Sequence, residues 1–404
     1  MHQTNFIVRE PLLDAKQRVI GYELCWQRRA GGDLAGADLE SLVAFVAGHV
    51  MDEEEGWLLR DKILFLDAVP AMLSLDALHA LPPDRTVLSL PVRDLTNPDT
   101  RAAVQALRVG GVGIALRGAD PALLGKNLAP YASFAEVRFA GAGADVAAQA
   151  RMYAAARKSA LRLVGRPVST WADFDACAAL GLDAFVGKLH LTPRPGNPVK
   201  GMNPAQTIIL QLMQMVQNNE DVPKIEAVLK RDPALIYKLL RFINSAGFGA
   251  GREIQSLRQA IAMLGYAPLY RWLVLLLATA SASGYSPVLM ETAVVRARLC
   301  ELLGQTCLPR SEGEHLFVAG MFSLLDRLLG LSMDEVLETI QLPEQVVRAL
   351  LGREGTYGPY LALAEACELN SDLVASLAAA VDISPLDVNK AHLSALAWAQ
   401  NVAT

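Results

Sequence analysis

One acidic side chain stands inside an apolar run near the start of the chain. The stretch VIGYELCWQR, residues 19–28, reads as a β-strand and places Glu23 between Tyr22 and Leu24. A carboxylate there can ligate a divalent cation for hydrolytic chemistry. It can instead be a structural group that pairs with an arginine or accepts hydrogen bonds, because a buried carboxylate needs a partner. The neighbouring strand ends must distinguish these two interpretations.

Other arrangements that could do chemistry are weak in this sequence. There is no GxSxG, P-loop or HExxH motif. The five cysteines are scattered and form no CxxC pair. This argues against a disulfide framework or a structural zinc site and favours a reducing cytosol. We therefore expect no structural zinc and no cofactor.

The first half of the chain alternates between strands and helices. About eight short β-prone runs, such as KILFLDA and TVLSLPV, are separated by segments whose apolar residues recur every three or four positions. Repeated strand and helix units imply parallel strands, because each helix carries the chain back over the sheet. About eight strands favour a TIM-like α/β barrel, which we predict for residues 1–192.

The second half has a different, helical pattern. The stretch TPRPGNPVKGMNP holds prolines and glycines among polar residues and cannot continue a helix, so residues 193–202 are predicted to be a linker. Beyond it, residues 203–404 consist of helix-length segments with short Gly, Pro and Ser breaks. That pattern is typical of a compact all-α domain.

Composition limits the location and the partners. A formal net charge of -5 argues against nucleic acid as a partner, since nucleic-acid binding needs clustered Lys and Arg. The N-terminus lacks a secretion signal, and the longest apolar run, which starts at Trp272, is too short to span a bilayer. We expect a cytoplasmic protein with no membrane contact.

These patterns resemble two known families. The first half, which contains REPLLDAKQRVIGYEL, resembles an EAL domain, the barrel that hydrolyses cyclic di-GMP. The second half resembles an HDOD domain, a helical relative of the HD metal-dependent phosphohydrolases that has lost their ligands. RDPALIYKLLRFINSAGFG, IQSLRQAIAMLG and VAGMFSLLDRLLG carry that resemblance. Within the HDOD signature, Asn244 and Ser245 are expected to cap or hydrogen-bond a tight turn. The order of the two halves is that of EAL-HDOD signalling proteins.

The EAL resemblance implies a ring of oxygen ligands for Mg²⁺ or Mn²⁺ at the carboxyl ends of the barrel strands. Glu23 takes the place of the signature glutamate, and Asp67 in LFLDA takes that of an asparagine ligand. The other places differ from the family. Ser89 replaces a glutamate, and Arg117, Gly118 and Ala119 replace Asp-Asp-Phe. Arg138 and Ala140 replace a lysine and an aspartate. Arg166 and Ser169 replace two glutamates, and Val186 and Gly187 replace Gln-Gly.

Exchange of carboxylates for arginines turns a cation site into one that repels cations. We therefore predict that the barrel neither binds the metals nor hydrolyses the dinucleotide, that no residue is catalytic, and that Glu23 and Asp67 are remnants. One alternative is that Arg117, Arg138 and Arg166 line a pocket for an anionic nucleotide or cyclic di-GMP itself. Another is a residual metal-dependent phosphodiesterase.

The helical half also departs from its hydrolytic relatives. Ser323 and Leu324 stand where the resemblance places the His-Asp pair of an HD hydrolase, and the two histidines of this half, His315 and His392, do not replace it. The prediction is therefore a catalytically inactive regulatory protein of cyclic di-GMP signalling, not an enzyme, that acts through protein partners.

Overall fold

The structure is a computed structural model of the chain. It describes residues 5–27, 36–52, 54–74, 76–118, 128, 130–138, 161–192, 204–232, 235–239, 261–262, 264–279, 287–340, 342–369 and 371–402. The predicted linker at 193–202 lies outside these residues, as do Asn244, Ser245, Ala119 and Ala140.

Eight strands close into a barrel, so the predicted barrel is confirmed. Around the barrel the order is β1-β8-β7-β6-β5-β4-β3-β2. The strands are β1 (Ile7–Leu13), β2 (Val19–Trp26), β3 (Ile63–Asp67), β4 (Thr86–Pro91), β5 (Gly113–Arg117), β6 (Phe134–Arg138), β7 (Arg162–Arg166) and β8 (Ala184–Val186). A separate short hairpin pairs Met51–Asp52 with Gly56–Trp57.

The first strand breaks the all-parallel pattern that the sequence predicted. β1 is antiparallel to both β2 and β8, whereas the remaining neighbours are parallel. The cause is the short connection between β1 and β2. The Asp14 carboxylate accepts hydrogen bonds from the backbone N–H of Lys16 at 2.8 Å and of Arg18 at 2.9 Å. A turn this tight leaves no room for the helix that a parallel crossover needs.

The inside of the barrel is filled by a layer of apolar side chains. This layer consists of Leu12, Phe65, Val87, Ala115, Phe134, Val164, Ala184 and Val186. Phe65 and Phe134 pack edge to face with ring centroids 5.1 Å apart. Since side chains alternate between the two faces of a strand, residues two positions away from this layer also point inward.

Three described helices follow strands or lead into them in the first half. They are α1 (Gly36–Val50), α2 (Pro98–Val109) and α3 (Trp171–Ala179). The Asn97 side chain caps α2 by accepting from the N–H of Asp99, and Thr170 caps α3 by accepting from that of Asp173. Trp171, Phe174 and Cys177 form the buried side of α3, as its apolar spacing predicts.

The second half is helical, which confirms the predicted class. Its helices are α4 (Pro204–Gln217), α5 (Val222–Leu229), α6 (Tyr266–Thr279), α7 (Pro287–Gly304), α8 (Gly313–Phe322), α9 (Leu325–Leu329), α10 (Met333–Thr339), α11 (Glu344–Gly352), α12 (Gly358–Leu369), α13 (Val374–Ala380) and α14 (Pro385–Val402). The apolar run at Trp272 lies in α6. No helix among the described residues is both long and apolar enough to cross a bilayer.

The chain forms two compact units. One contains Met1–Pro195, Ser286–Glu291 and Leu363–Thr404, and the other contains Gly196–Tyr285 and Thr292–Ala362. The unit that holds the barrel therefore includes the C-terminal helices, which the sequence assigned to the helical domain. The domain limits at 192 and 203 stay a prediction.

Candidate functional site at the mouth of the barrel

A polar layer lies next to the apolar layer, toward the carboxyl ends of the parallel strands. Asp67, Ser89, Arg117, Glu136 and Arg166 each follow a residue of the apolar layer by two positions. Glu10 precedes Leu12 by two positions and faces Glu23 in the antiparallel register of β1 and β2. We call these residues, Glu10, Glu23, Asp67, Ser89, Arg117, Glu136 and Arg166, the mouth layer. The carboxyl end is where barrels of this kind place their chemistry.

Arg166 is the centre of an ion-pair network in the mouth layer. Its guanidinium donates to Glu23 in a short, direct contact, and it lies 3.3 Å from a Glu10 oxygen and 3.7 Å from a Glu136 oxygen. Glu23 is only 8 % exposed. A single guanidinium therefore faces carboxylates from three strands, β1, β2 and β6.

A second ion pair joins β5 to β3. Arg117 donates from Nη1 to the Asp67 carboxylate at 2.6 Å, and Asp67 is 4 % exposed. No residue in the described part of the chain accepts a hydrogen bond from the buried Nε of Arg117. Ser89 donates to Glu136 at 3.1 Å, which ties β4 to β6. Each of these polar groups is thus held by a neighbour on another strand.

Burial and the neighbouring charges together set the protonation of the carboxylates in the mouth layer. Burial, with repulsion from Asp67 and Glu136, raises the pKa of Glu23 from 4.5 to about 7, although Arg166 opposes the shift. Burial also raises the pKa of Glu136. For Arg166, burial lowers the pKa but attraction from Glu23, Glu136 and Glu10 outweighs it, so the net shift is upward. Arg166 stays charged, and Glu23 is the group that gains or loses a proton near neutral pH.

This pKa predicts how stability depends on pH. Because the folded pKa of Glu23 is raised above 4.5 to about 7, the folded state binds a proton more tightly than the unfolded chain. The contribution of Glu23 to the free energy of unfolding should therefore fall as pH rises from about 4.5 to 7, by on the order of 3 kcal/mol. Urea unfolding of wild type and Glu23→Gln across this pH range measures the change in the free energy of unfolding, since Gln does not titrate. A constant difference between the two proteins would contradict the pKa shift.

The structure brings together most of the site residues that the sequence predicts. Glu23, Asp67, Arg117 and Arg166 meet in the mouth layer. Arg138 lies on β6, two positions beyond Glu136, but its side chain is outside the described structure. Its place in a ligand pocket stays a prediction. Of the two interpretations of Glu23, the structure shows the ion pair with an arginine.

Sequence reasoning missed Glu10 and Glu136. Both lie outside the EAL ligand pattern, so that pattern does not predict them. The signal was nevertheless present, since Glu136 follows Phe134 by two positions in a β-prone run and must share its face. Glu10 is placed by the antiparallel pairing with β2, which the sequence did not predict.

The arrangement of the mouth layer bears on the metals that EAL domains imply. Within the described parts of the chain, no group of three or more His, Cys, Asp or Glu side chains is placed to hold a metal ion. Glu23 and Asp67 are each in contact with a guanidinium. As arranged, these residues do not fit a metal centre.

Ser323 and Leu324, the positions that the resemblance aligns with the His-Asp pair of HD hydrolases, lie in the unit that contains Thr292–Ala362. The buried Arg296 donates to the Ser323 hydroxyl at 2.8 Å, and that hydroxyl donates to the Gly320 carbonyl at 2.7 Å. Leu324 is buried. His315 contacts the Tyr357 hydroxyl at 2.9 Å. Ser323 therefore acts as a structural group between two helices, α7 and the end of α8.

Comparison with known proteins finds one matching domain model and two curated relatives. Residues 202–343 match the model of the HDOD domain. The cyclic di-GMP phosphodiesterase CdgJ of Vibrio cholerae is 27% identical over 369 residues, which is 90% of this chain and 85% of CdgJ. The uncharacterized protein YuxH of Bacillus subtilis is 24% identical and covers 98% of both chains.

Solved structures also show similarity. The BlrP1 complex of Klebsiella pneumoniae with calcium and cyclic di-GMP is 21% identical, with a TM-score of 0.37, and covers 46% of this chain and 54% of that one. The FimX EAL domain of Pseudomonas aeruginosa bound to cyclic di-GMP is 14% identical, with a TM-score of 0.34, and covers 46% of this chain and 88% of that one.

The prediction that the chain is not an enzyme is contradicted by this comparison. CdgJ, which is similar over most of the chain, is named a cyclic di-GMP phosphodiesterase. The positions that align with the EAL ligands do not include every acidic side chain at the mouth of the barrel. The mouth layer contains Glu10 and Glu136 as well as Glu23 and Asp67, so it is richer in acidic groups than the aligned positions indicate.

These findings agree on both halves of the chain. The helical region contains the matched HDOD domain, and the eight-stranded barrel precedes it in the order expected. The similarity to CdgJ relates the chain to cyclic di-GMP signalling. The chain contains an HDOD domain, and a barrel followed by an HDOD domain is the order found in the EAL-HDOD proteins that it resembles.

Proposed function

We propose that the chain is a regulatory protein that binds cyclic di-GMP at the mouth layer, with Arg117 and Arg166 as the groups that receive its phosphates. The observation that carries the proposal is the pair of inward guanidiniums, one on β5 and one on β7, at the carboxyl end of the barrel. A planar guanidinium with several N–H donors is well suited to a phosphate anion. Cyclic di-GMP carries two such phosphates.

Binding must overcome the ion pairs that the mouth layer already makes. A phosphate that approaches Arg166 competes with Glu23, which holds the same guanidinium. With a pKa of about 7, Glu23 can take up a proton and release Arg166 at little cost near neutral pH. Arg117 offers in addition an Nε with no hydrogen-bond partner among the described residues. Proton uptake would thus accompany binding.

Hydrolysis of cyclic di-GMP is the second candidate function. It is favoured by the name of CdgJ and by the acidic side chains that Glu10 and Glu136 add to Glu23 and Asp67.

The proposal also includes the protein partners that the sequence predicts. We propose that the protein binds these partners when cyclic di-GMP is bound. A pull-down with and without cyclic di-GMP would reveal them.

Calorimetric titration with cyclic di-GMP at pH 6.5 tests the proposal. We expect one site per chain in the wild type and an affinity at least about 30-fold weaker in Arg117→Met, because a bidentate charged contact to phosphate contributes about 2 kcal/mol or more. Arg93→Met is the matched control, since Arg93 is exposed and outside the mouth layer. Equal affinities in all three proteins, or no binding by wild type, would refute the proposal.

The same samples, incubated with Mn²⁺ or with EDTA, separate binding from hydrolysis. Linear product that appears only with Mn²⁺, and disappears in Glu23→Ala, would establish the second candidate. Binding that is the same in EDTA and Mn²⁺ without product would favour binding alone.

A further inference from the structure

The outer side of the first two strands carries a buried polar cluster that the mouth layer does not use. Tyr22 lies on β2 next to Glu23, and because neighbours on a strand point to opposite faces, Tyr22 points out of the barrel. Its hydroxyl donates to the Glu291 carboxylate in a short contact, and Tyr22 is 1 % exposed. Glu291 belongs to the same compact unit as the barrel.

Other groups hold Glu291 in place. Gln400 of α14 donates to it at 3.1 Å, and the ammonium of Lys62 lies 3.5 Å from its other oxygen. Lys62 also donates to the backbone carbonyl of Val19, at the start of β2, at 2.7 Å. Glu291 is therefore a partly buried carboxylate with three partners. Tyr22 belongs to β2, and Lys62 is bound to it.

A matching contact is made to β1. Arg9, which is next to Glu10 and points outward, lies 3.4 Å from the Glu368 carboxylate of α12, and both side chains are 5% exposed. Asn389 of α14 accepts from the N–H of Ile7 at 2.7 Å and donates to the Asn5 carbonyl at 2.9 Å. Each of the two strands that supply Glu10 and Glu23 is thus contacted from outside by a carboxylate distant in sequence, Glu368 for β1 and Glu291 for β2.

We propose that Glu291 and Glu368 are positioning residues for the mouth layer. Glu291 contacts the outward Tyr22 of β2, and Glu368 contacts the outward Arg9 of β1. The next residue along each strand, Glu23 on β2 and Glu10 on β1, points inward and lies against Arg166. A strand whose outer face is released can twist or slide by a fraction of an ångström. An ion pair in direct contact is sensitive to such a shift because its energy depends steeply on geometry in a poorly hydrated site. The effect of Glu291 and Glu368 on dinucleotide binding rests on the proposed function.

A double-mutant cycle tests the positioning role without any ligand. Glu291 does not contact Glu23 directly, so the effect of Glu23→Gln on the unfolding equilibrium should be independent of position 291 unless the strand couples them. We expect the effect of Glu23→Gln on the unfolding equilibrium constant to differ about fivefold or more between the wild-type and Glu291→Ala backgrounds. Urea unfolding of the full chain at pH 7.5 supplies all four corners of the cycle.

Two further variants keep this test decisive. Tyr22→Phe removes only the hydroxyl, so it replaces Glu291→Ala in the cycle if that variant does not fold. Arg18→Ala is the matched control, because the exposed Arg18 pairs with Asp14 at the opposite end of the same two strands. In the Arg18→Ala background the effect of Glu23→Gln should stay within about twofold of wild type. Effects of Glu23→Gln that agree within twofold in every background would overturn the proposal.

The pH profile gives a readout that a loss of general stability does not change. The pH at which the Glu23 contribution to stability is half lost should move by about half a unit or more in Tyr22→Phe, because the distance from Glu23 to Arg166 changes. An unmoved midpoint would overturn the proposal as well.

Cyclic di-GMP titration of the same variants links the positioning role to function. We expect binding about tenfold weaker in Tyr22→Phe and unchanged in Arg18→Ala. If the wild type binds no dinucleotide, the proposed function fails, while the unfolding cycle still decides whether Glu291 positions Glu23.

Discussion

Replacement of Arg166 by methionine should destabilise the folded protein by about 3–5 kcal/mol at pH 8, because it removes the positive partner of a buried charge cluster. Carboxylate oxygens of Glu10, Glu23 and Glu136 lie within 3.7 Å of this guanidinium. Without it, their charges repel one another inside the barrel. The pKa of Glu23, already about 7, should rise further, so the folded state binds protons more tightly than the unfolded chain.

The pH dependence identifies this cause. Stability of Arg166→Met should recover as pH falls from 8 toward 5, since protonated carboxyl groups no longer repel. The second substitution in Arg166→Met/Glu23→Gln should restore part of the stability at pH 8. Urea unfolding at both pH values measures these effects, with Arg93→Met as the control for loss of an exposed arginine. A loss of stability that is equal at pH 5 and pH 8 would show that Arg166 acts through packing.

Binding of cyclic di-GMP should become stronger as pH falls through neutrality. If phosphate takes Arg166 from Glu23, the carboxyl group loses its main partner and takes up a proton. Because the free protein holds Glu23 at a pKa of about 7, the affinity should rise up to about tenfold for each unit that pH falls above that value, and level off below it. Calorimetric titrations at pH 6.0, 7.0, 8.0 and 8.5 measure the slope.

The control for this prediction is Glu23→Gln, which keeps the shape of the side chain but cannot titrate. Its affinity should be nearly independent of pH over this range and, at pH 8.5, stronger than that of wild type. A wild-type affinity that does not change with pH, or a slope that persists in Glu23→Gln, would contradict the exchange of Arg166 between carboxylate and phosphate.

The fold was largely predictable from sequence because its signals are local. Apolar runs such as KILFLDA and helix-spaced segments such as NPDTRAAVQALRVG specify their elements directly, and their repetition specifies a barrel. The antiparallel start was not predicted, since it depends on the Asp14 turn, whose hydrogen bonds to Lys16 and Arg18 are a matter of side-chain geometry. The grouping of Leu363–Thr404 with the barrel depends on contacts distant in sequence, such as Arg9 with Glu368.

The candidate site was predictable only in part, for a related reason. A family pattern locates the residues that replace known ligands, and the structure places four of these, Glu23, Asp67, Arg117 and Arg166, in the mouth layer. It does not locate new acidic groups. Glu136 reaches the site through strand alternation. Burial is the main cause of the raised pKa of Glu23, and the charge of Glu136 adds a smaller repulsion that the aligned positions do not reveal.

A crystal structure of the full chain grown with cyclic di-GMP at pH 6.0 tests the central claim most directly. The mouth layer should contain the dinucleotide, with phosphate oxygens about 3 Å from the guanidinium nitrogens of both Arg117 and Arg166, and Glu23 turned away from Arg166. A dinucleotide bound elsewhere, or one whose phosphates leave both ion pairs of the mouth layer intact, would contradict it.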